Sequence, residues 1–315
     1  MGMKAAAAGI VAMALLASQA LSADYRPPRT PSGAPDLNGL WTNFSLTTLE
    51  RPTGVDQLVL SEADSKALEK RLSDQRADPP GDAIGNRTSE WWERTTLARL
   101  YGGVRTSWIV SPADGKLPYT EEARRRMTSR RFGVDNPEDR GTSDRCLTAG
   151  WGAMSAPMLN SNYSANYQIV QTADTVAILS EMNHDVRLIR LGAKHPPKSV
   201  TYWMGDSIGR WEKDTLVVET TNFYAGENFR SGYYVSPDGV VTERFKRISA
   251  TQILYQFTID DPSTYTQPWT AEMPFNATTQ PVFEFACHEG NYGLEGILAG
   301  ARQEEAAKAR LAKRP

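Results

Sequence analysis

From residue 167 onward the chain falls into short runs rich in Val, Ile, Thr, Tyr and Phe, one about every ten residues, with turn formers between them. The runs cover 167–171, 175–181, 185–191, 200–204, 215–221, 240–248, 253–259, 268–273 and 282–288. Strands of that length satisfy their backbone N–H and C=O groups only by pairing with neighbours. At this spacing they predict a meandering antiparallel sheet, closed into a barrel or stacked as a sandwich. The clearest hairpin runs from Gly209 to Val218, where Trp211 and the Val217–Val218 pair flank a polar turn at 212–214.

The flanking regions have a different character. Residues 24–55 hold Pro27, Pro28, Pro31, Gly33, Pro35, Gly39, Pro52 and Gly54, which suits an extended strap ending in a first strand near Asp36–Trp41. Ser61 followed by Glu62 and Asp64 predicts a helix to about Arg71, with Ser61 as its cap. Further short helices are expected at 90–100 and 120–127. The second has a Thr120 cap, an acidic first turn and a basic end at Arg124, Arg125 and Arg126, read as a solvated helix terminus. Residues 294–311 predict a closing helix dominated by Ala, Glu and Arg. The organisation is therefore a strap with short helices over 23–150, an antiparallel β domain over 151–300, and a solvent-exposed helix end at 301–315.

Residues 1–22 have the three parts of a secretory signal: Lys4, an apolar run from Ala5 to Ala17, and Ala20-Leu21-Ser22 before a cut at Ala23. The run is too short to cross ~30 Å of hydrocarbon. The mature protein is thus expected in the periplasm or secreted, with no stable membrane span. In an oxidising compartment the two cysteines, Cys146 and Cys287, read first as a disulfide, with a pair of buried thiols as the alternative.

With 35 basic and 37 acidic residues, the chain has no basic excess of the kind nucleic acid requires. It has no Gly-rich phosphate loop, no G-x-S-x-G elbow and no H-E-x-x-H, so no cofactor is assigned. The three histidines, His184, His195 and His288, lack the close spacings of a metal site. No metal is assigned, and a three-histidine site stays open.

Chemistry is sought in those histidines because imidazole exchanges protons near neutral pH. If 185–191 is a strand, His184 shares a face with Val186, Leu188 and Arg190, at the edge of an apolar surface. His288 would end the last strand beside Cys287, where a disulfide would hold it. Asp185 and Glu289 adjoin the two rings as orienting groups. Asp206 and Arg210 are candidates for binding polar parts of a substrate, with Trp203 and Tyr292 as aromatic contacts. Glu181, Glu219, Glu243, Glu272 and Glu284 recur within strand segments; they face water in an ordinary sheet or a polar lumen in a barrel.

Trp203-Met204-Gly205-Asp206-Ser207-Ile208-Gly209-Arg210-Trp211-Glu212, followed by Thr215-Leu216-Val217-Val218-Glu219-Thr220, resembles a large, mostly uncharacterised family of exported bacterial β-rich proteins. Tyr167–Gln171, Glu243-Arg244-Phe245, Ile259-Asp260-Asp261-Pro262, Arg145-Cys146-Leu147 and Cys287-His288-Glu289-Gly290-Asn291-Tyr292 support the likeness, which covers roughly Asp36 to Ala301. It implies export and a lipocalin-like body, and no reaction. Many relatives carry an Asp-Gly-Arg-x-His-Pro turn where this chain has Leu191-Gly192-Ala193-Lys194-His195-Pro196.

The resulting expectation is an exported enzyme acting on a small apolar or aromatic molecule in a barrel cavity. It would use His184 and His288 for elimination, isomerisation or hydrolysis. The alternative is a non-catalytic periplasmic carrier of a hydrophobic ligand. A structural protein of the envelope, with no sizeable cavity, is the third reading.

Overall fold

The computed structural model describes residues 25–75, 95–129, 133–148, 156–161, 163–225 and 233–312. The expected signal at 1–22 lies outside them. So do residues 90–94 of the helix expected at 90–100; the described remainder is not helical, 95–98 having no regular structure and 99–100 forming a short strand.

In chain order the elements are β1 (Gly39–Thr42), β2 (Val59–Leu60), α1 (Glu62–Gln75), β3 (Arg99–Leu100), β4 (Gly103–Arg105), β5 (Ile109–Ser111), α2 (Glu121–Ser129), β6 (Asn166–Gln171), β7 (Thr175–Ser180), β8 (Val186–Leu191), β9 (Asp206–Glu212), β10 (Thr215–Thr221), β11 (Val240–Arg247), β12 (Gln252–Asp260), β13 (Trp269–Ala277) and α3 (Tyr292–Ala312). The helix caps are as predicted: the Asp64 amide donates to Ser61 Oγ at 3.2 Å and the Ala123 amide to Thr120 Oγ1 at 3.1 Å.

Strands β6 to β13 follow one another around a barrel that β1 closes, pairing with β6 on one side and with Asn276–Ala277 of β13 on the other. β5 covers the opposite end of β13 at Thr270–Ala271, where the register shifts. The ring has nine strands, and directions cannot alternate around an odd ring. One junction must be parallel. That junction is β8–β9, with Ile189 opposite Ser207 and Leu191 opposite Gly209. The fold is thus the mainly β, lipocalin-like barrel expected, with one parallel joint bridged by a crossover over 192–205. β1 and β5, from the region preceding residue 150, belong to the barrel sheet.

Two expected strands are absent. Residues 200–204 form part of the crossover, with an isolated bridge from Tyr202 to Phe223 in place of ladder pairing. Residues 282–288 run without ladder pairing, because closure of β13 onto β1 leaves no edge for another strand.

Alternation along the strands sends one set of side chains into the barrel. Ile253, Tyr255, Phe257 and Ile259 of β12 are all fully buried, as are Phe245 of β11 and Trp269 of β13. Tyr255 packs on Phe245 and Phe275 with ring centres 4.8 and 5.2 Å away, and Phe257 meets Trp269 edge-on at 5.4 Å. Beside these rings lies a segment of the chain itself. Ala156, Met158 and Leu159 are buried in the same cluster, and the Met158 amide donates to Tyr255 Oη at 2.8 Å. Asn160 anchors the segment by donating to the carbonyls of Ser45 and Thr47 and accepting from Trp108 Nε1. At the level of Tyr255 the lumen is therefore occupied by the protein's own atoms. A smaller cluster of Leu46, Leu68, Leu72, Leu97 and Val104 joins α1 to the β2–β4–β3 sheet.

Candidate functional site

One end of the barrel gathers the start of β6, the end of β7, the starts of β8 and β9 and the end of β10. Most of the residues singled out in the sequence lie on loops at this end, but not as expected. His184 is not on a strand. It ends a 3-10 turn (Met182–His184) with φ 56°, and its ring is exposed. The face it was expected to share is the outer wall of the barrel: Val186 and Leu188 are 49% and 57% exposed, while Arg187 and Ile189 point inward. His288 and Glu289 lie exposed in a turn over 287–290, and Tyr292, first residue of α3, is 78% exposed.

Even so, the loops bearing His184 and His288 run side by side. Met182 packs with Met204 and Phe285, the buried Glu181 carboxylate accepts from the Phe283 amide at 3.2 Å, and a disulfide joins Cys146 to Cys287 with an S–S length of 2.09 Å. A cleft of about 520 Å³ opens beside it, lined by Ser143, Asp144, Glu284, Cys287, Glu289 and Asn291. Trp203 is half-buried, its ring 4.5 Å from that of Tyr224 and capped by the Arg145 guanidinium at 5.7 Å. Arg210 is apart from all of these, on the outer face of β9 in an exposed ladder with Glu212 and Arg244.

Strands β8, β9 and β10 carry polar clusters on both faces. The inner one starts from Arg187. Its Nε donates to Ser207 Oγ at 3.0 Å, Nη1 to Glu243 Oε1 at 2.8 Å, and Nη2 to Thr220 Oγ1 at 2.9 Å and to Glu243 Oε2. Tyr255 Oη donates to Glu243 Oε1 at 2.7 Å. Burial pulls the Arg187 guanidinium toward neutrality, but the Glu243 charge and hydrogen bonds outweigh it, leaving its pKa raised. Burial, reinforced by Glu243, holds the Tyr255 phenol well above its ordinary range, so it stays a donor. Each strand from β8 to β12 contributes one group, and the guanidinium nitrogens are all engaged. A charge pair removed from water persists only when satisfied in this way.

The outer cluster uses the alternate residues. Asp206 Oδ2 lies 2.7 Å from His195 Nδ1. Arg190 Nη2 donates to both Asp206 oxygens at 2.8 Å and to the Lys194 carbonyl at 3.4 Å. Glu219 Oε1 stands 3.3 Å from His195 Nε2 but out of line for a hydrogen bond, and Nε2 is buried with no hydrogen-bond partner. The two carboxylates sit at opposite nitrogens of one ring, so they cannot converge with it on a metal. Among the described residues no three His, Cys, Asp or Glu side chains could hold a metal ion together. The ring's position is set by Asn222, whose Nδ2 donates to the carbonyls of Pro196, Pro197 and Val200 and so pins the crossover to the barrel wall.

The 203–212 motif acquires a reason at most positions. Gly205 has φ 72°, and a Cβ there would meet the Thr221 carbonyl at 2.8 Å. Gly209 faces inward, where a Cβ would meet Ile189 Cγ2 at 2.8 Å. Ser207 belongs to the inner cluster, Asp206 to the outer, and Trp211 packs against the core.

Sequence reasoning missed the roles of Arg187, Arg190, His195 and Glu219. One signal was present: arginine spaced by three on β8 with Asp206 and Ser207 adjacent on β9. Only the parallel pairing, invisible in the sequence, assigns each pair to its face. Comparison with protein-family models, with curated proteins and with solved structures returned no match. No helix among the described residues is long and apolar enough to cross a membrane.

Proposed function

We propose that this is an exported enzyme, periplasmic or secreted, that moves a proton on a small apolar or aromatic molecule in an elimination, isomerisation or hydrolysis. His195 and Asp206 are the acid–base pair. The proton role expected of His184 and His288 passes to His195, because it alone has a carboxylate side chain hydrogen-bonded to its ring.

The observation carrying this reading is the 2.7 Å contact between His195 Nδ1 and Asp206 Oδ2, with Arg190 holding the carboxylate from the other side. A carboxylate on Nδ1 selects the tautomer whose Nε2 is free to take a proton. Trp203, Tyr224 and Tyr202, on or against the same crossover, supply an aromatic surface for the molecule to lie on, with Tyr202 and Tyr224 45% and 43% exposed.

The test uses 5-nitrobenzisoxazole, a flat aromatic whose ring opens once a base removes its C3 proton. The protein should accelerate the opening, and His195→Gln should lower the rate by about tenfold or more, a conservative floor beneath the ~10²–10⁴ of a well-positioned acid–base group, at an unchanged melting temperature. His184→Ala and His288→Ala should stay within about twofold, well below the loss of an acid–base group. Equal rates with and without His195 refute the assignment.

The aromatic shelf also favours a second reading, a carrier, since Trp203 and Tyr224 need no proton transfer to hold a ligand. A carrier binds a naphthyl fluorophore equally well with His195 or Gln and leaves the benzisoxazole unchanged.

A further inference from the structure

Resting on that reading, we infer that Glu219 is the residue that exchanges the proton with the substrate, and that His195 relays it from behind. Nδ1 of His195 is taken by Asp206, and Nε2 is buried, so neither ring nitrogen can be reached by a molecule from solution. Of the three side chains in line, Asp206 is 11% exposed, His195 17% and Glu219 44%. A proton can leave the cluster toward solvent through Glu219.

Its Oε1 at 3.3 Å from Nε2 is within reach of a hydrogen bond after a small rotation of a half-exposed, flexible side chain. Unprotonated, the ring turns the Nε2 lone pair toward a carboxylate. A proton arriving on Glu219 converts that contact into an O–H···N bond. The step balances as follows. The substrate C–H bond breaks and its electron pair expels the leaving atom on the neighbouring centre. The proton goes to Glu219 Oε1 and then to His195 Nε2. The imidazolium is held by Nδ1–H···Asp206, and Arg190 orients Asp206 from the other side. With two carboxylates against one guanidinium, this wall repels anions. The substrate class is therefore an aromatic bearing an activated C–H and no negative charge.

The alternative role for Glu219 is a cover that merely shields Nε2. The two roles predict opposite signs with 5-nitrobenzisoxazole. If Glu219 carries the proton, Glu219→Gln lowers the rate about tenfold or more despite an intact His195, and Glu219→Asp restores part of it. If Glu219 is only a cover, Glu219→Gln loosens it and leaves the rate equal or raised, which overturns the inference while His195→Gln still lowers the rate. No acceleration by the parent protein, or none lost in either variant, overturns the inference and the underlying reading together. Diethyl pyrocarbonate labelling of His195, read by peptide mass, checks the geometry without turnover: slow in the parent and faster in Glu219→Ala. Fast labelling in the parent also counts against the inference, because Nε2 would then be open to the substrate directly.

Discussion

The same three strands, β8 to β10, carry an arginine–carboxylate cluster on each face, and the two clusters are built to opposite ends. Inside, Arg187, Ser207, Thr220 and Glu243 close on one another and on Tyr255, with the guanidinium nitrogens all engaged. Outside, three residues along β8 and one along β9 and β10, Arg190, Asp206, Glu219 and the crossover's His195 leave one ring nitrogen without a hydrogen bond. The difference follows from the surroundings. In a dry lumen an unsatisfied charge costs several kcal/mol, so the inner group is closed or it is not there. On the outer wall an open position costs less, because the half-exposed Glu219 and Arg190 beside it reach water, and a group without a hydrogen bond can be kept. Closure marks the part that holds the barrel; incompleteness marks the part on which the proposed proton transfer rests.

Four measurements test this contrast. The largest effect is expected inside: Arg187→Met leaves Glu243 buried and unpaired and should cost about 3–5 kcal/mol in urea unfolding, with much of it recovered in Arg187→Met/Glu243→Leu. A loss under about 1 kcal/mol for the single variant would mean that the pair is not dry. Next comes alkaline pH. The Tyr255 phenol is raised by burial above its unfolded value near 10, so its contribution is fully present below pH 10. It is lost as pH rises beyond that, at about 1.4 kcal/mol per pH unit. Thermal melts above pH 10 should fall less steeply in Tyr255→Phe. Third, on the outer wall, Asp206→Ala should cost only about 1–2 kcal/mol, because Arg190 is half-exposed and returns to water. Smallest of all, Arg210→Ala in the exposed Glu212–Arg244 ladder should change stability by about 0.5 kcal/mol or less, the value of surface ion pairs.

The strand rhythm made most of the barrel legible. Strands β6, β7, β8, β10, β11 and β12 stand within a residue or so of the runs expected, and β13 starts within a residue of its own. That works because period and spacing are local properties, written in Val, Ile and Tyr. What stayed hidden depends on closure. The run at 282–288 has strand-like residues but no edge to join. On β8 the choice of face by hydrophobicity came out inverted, because the lumen takes Arg187 and gives Val186 and Leu188 to the outside. A guanidinium can be the inward residue only where Glu243 is opposite, 56 positions away in sequence. Of the candidate site, Asp206 was legible as a polar residue at the start of a strand. His195 was not, since a ring in a loop gains its carboxylates only when the crossover folds back over β9 and β10.

Residues 156–160 come before eight of the nine barrel strands in the chain, yet end up within the ring those strands make. Assembly therefore has to wrap sheet around a peptide already synthesised, and nothing can be pushed in once β13 has met β1. The Met158 amide gains its partner only when β12 arrives, so its protection from hydrogen exchange during refolding times the moment at which the interior is sealed.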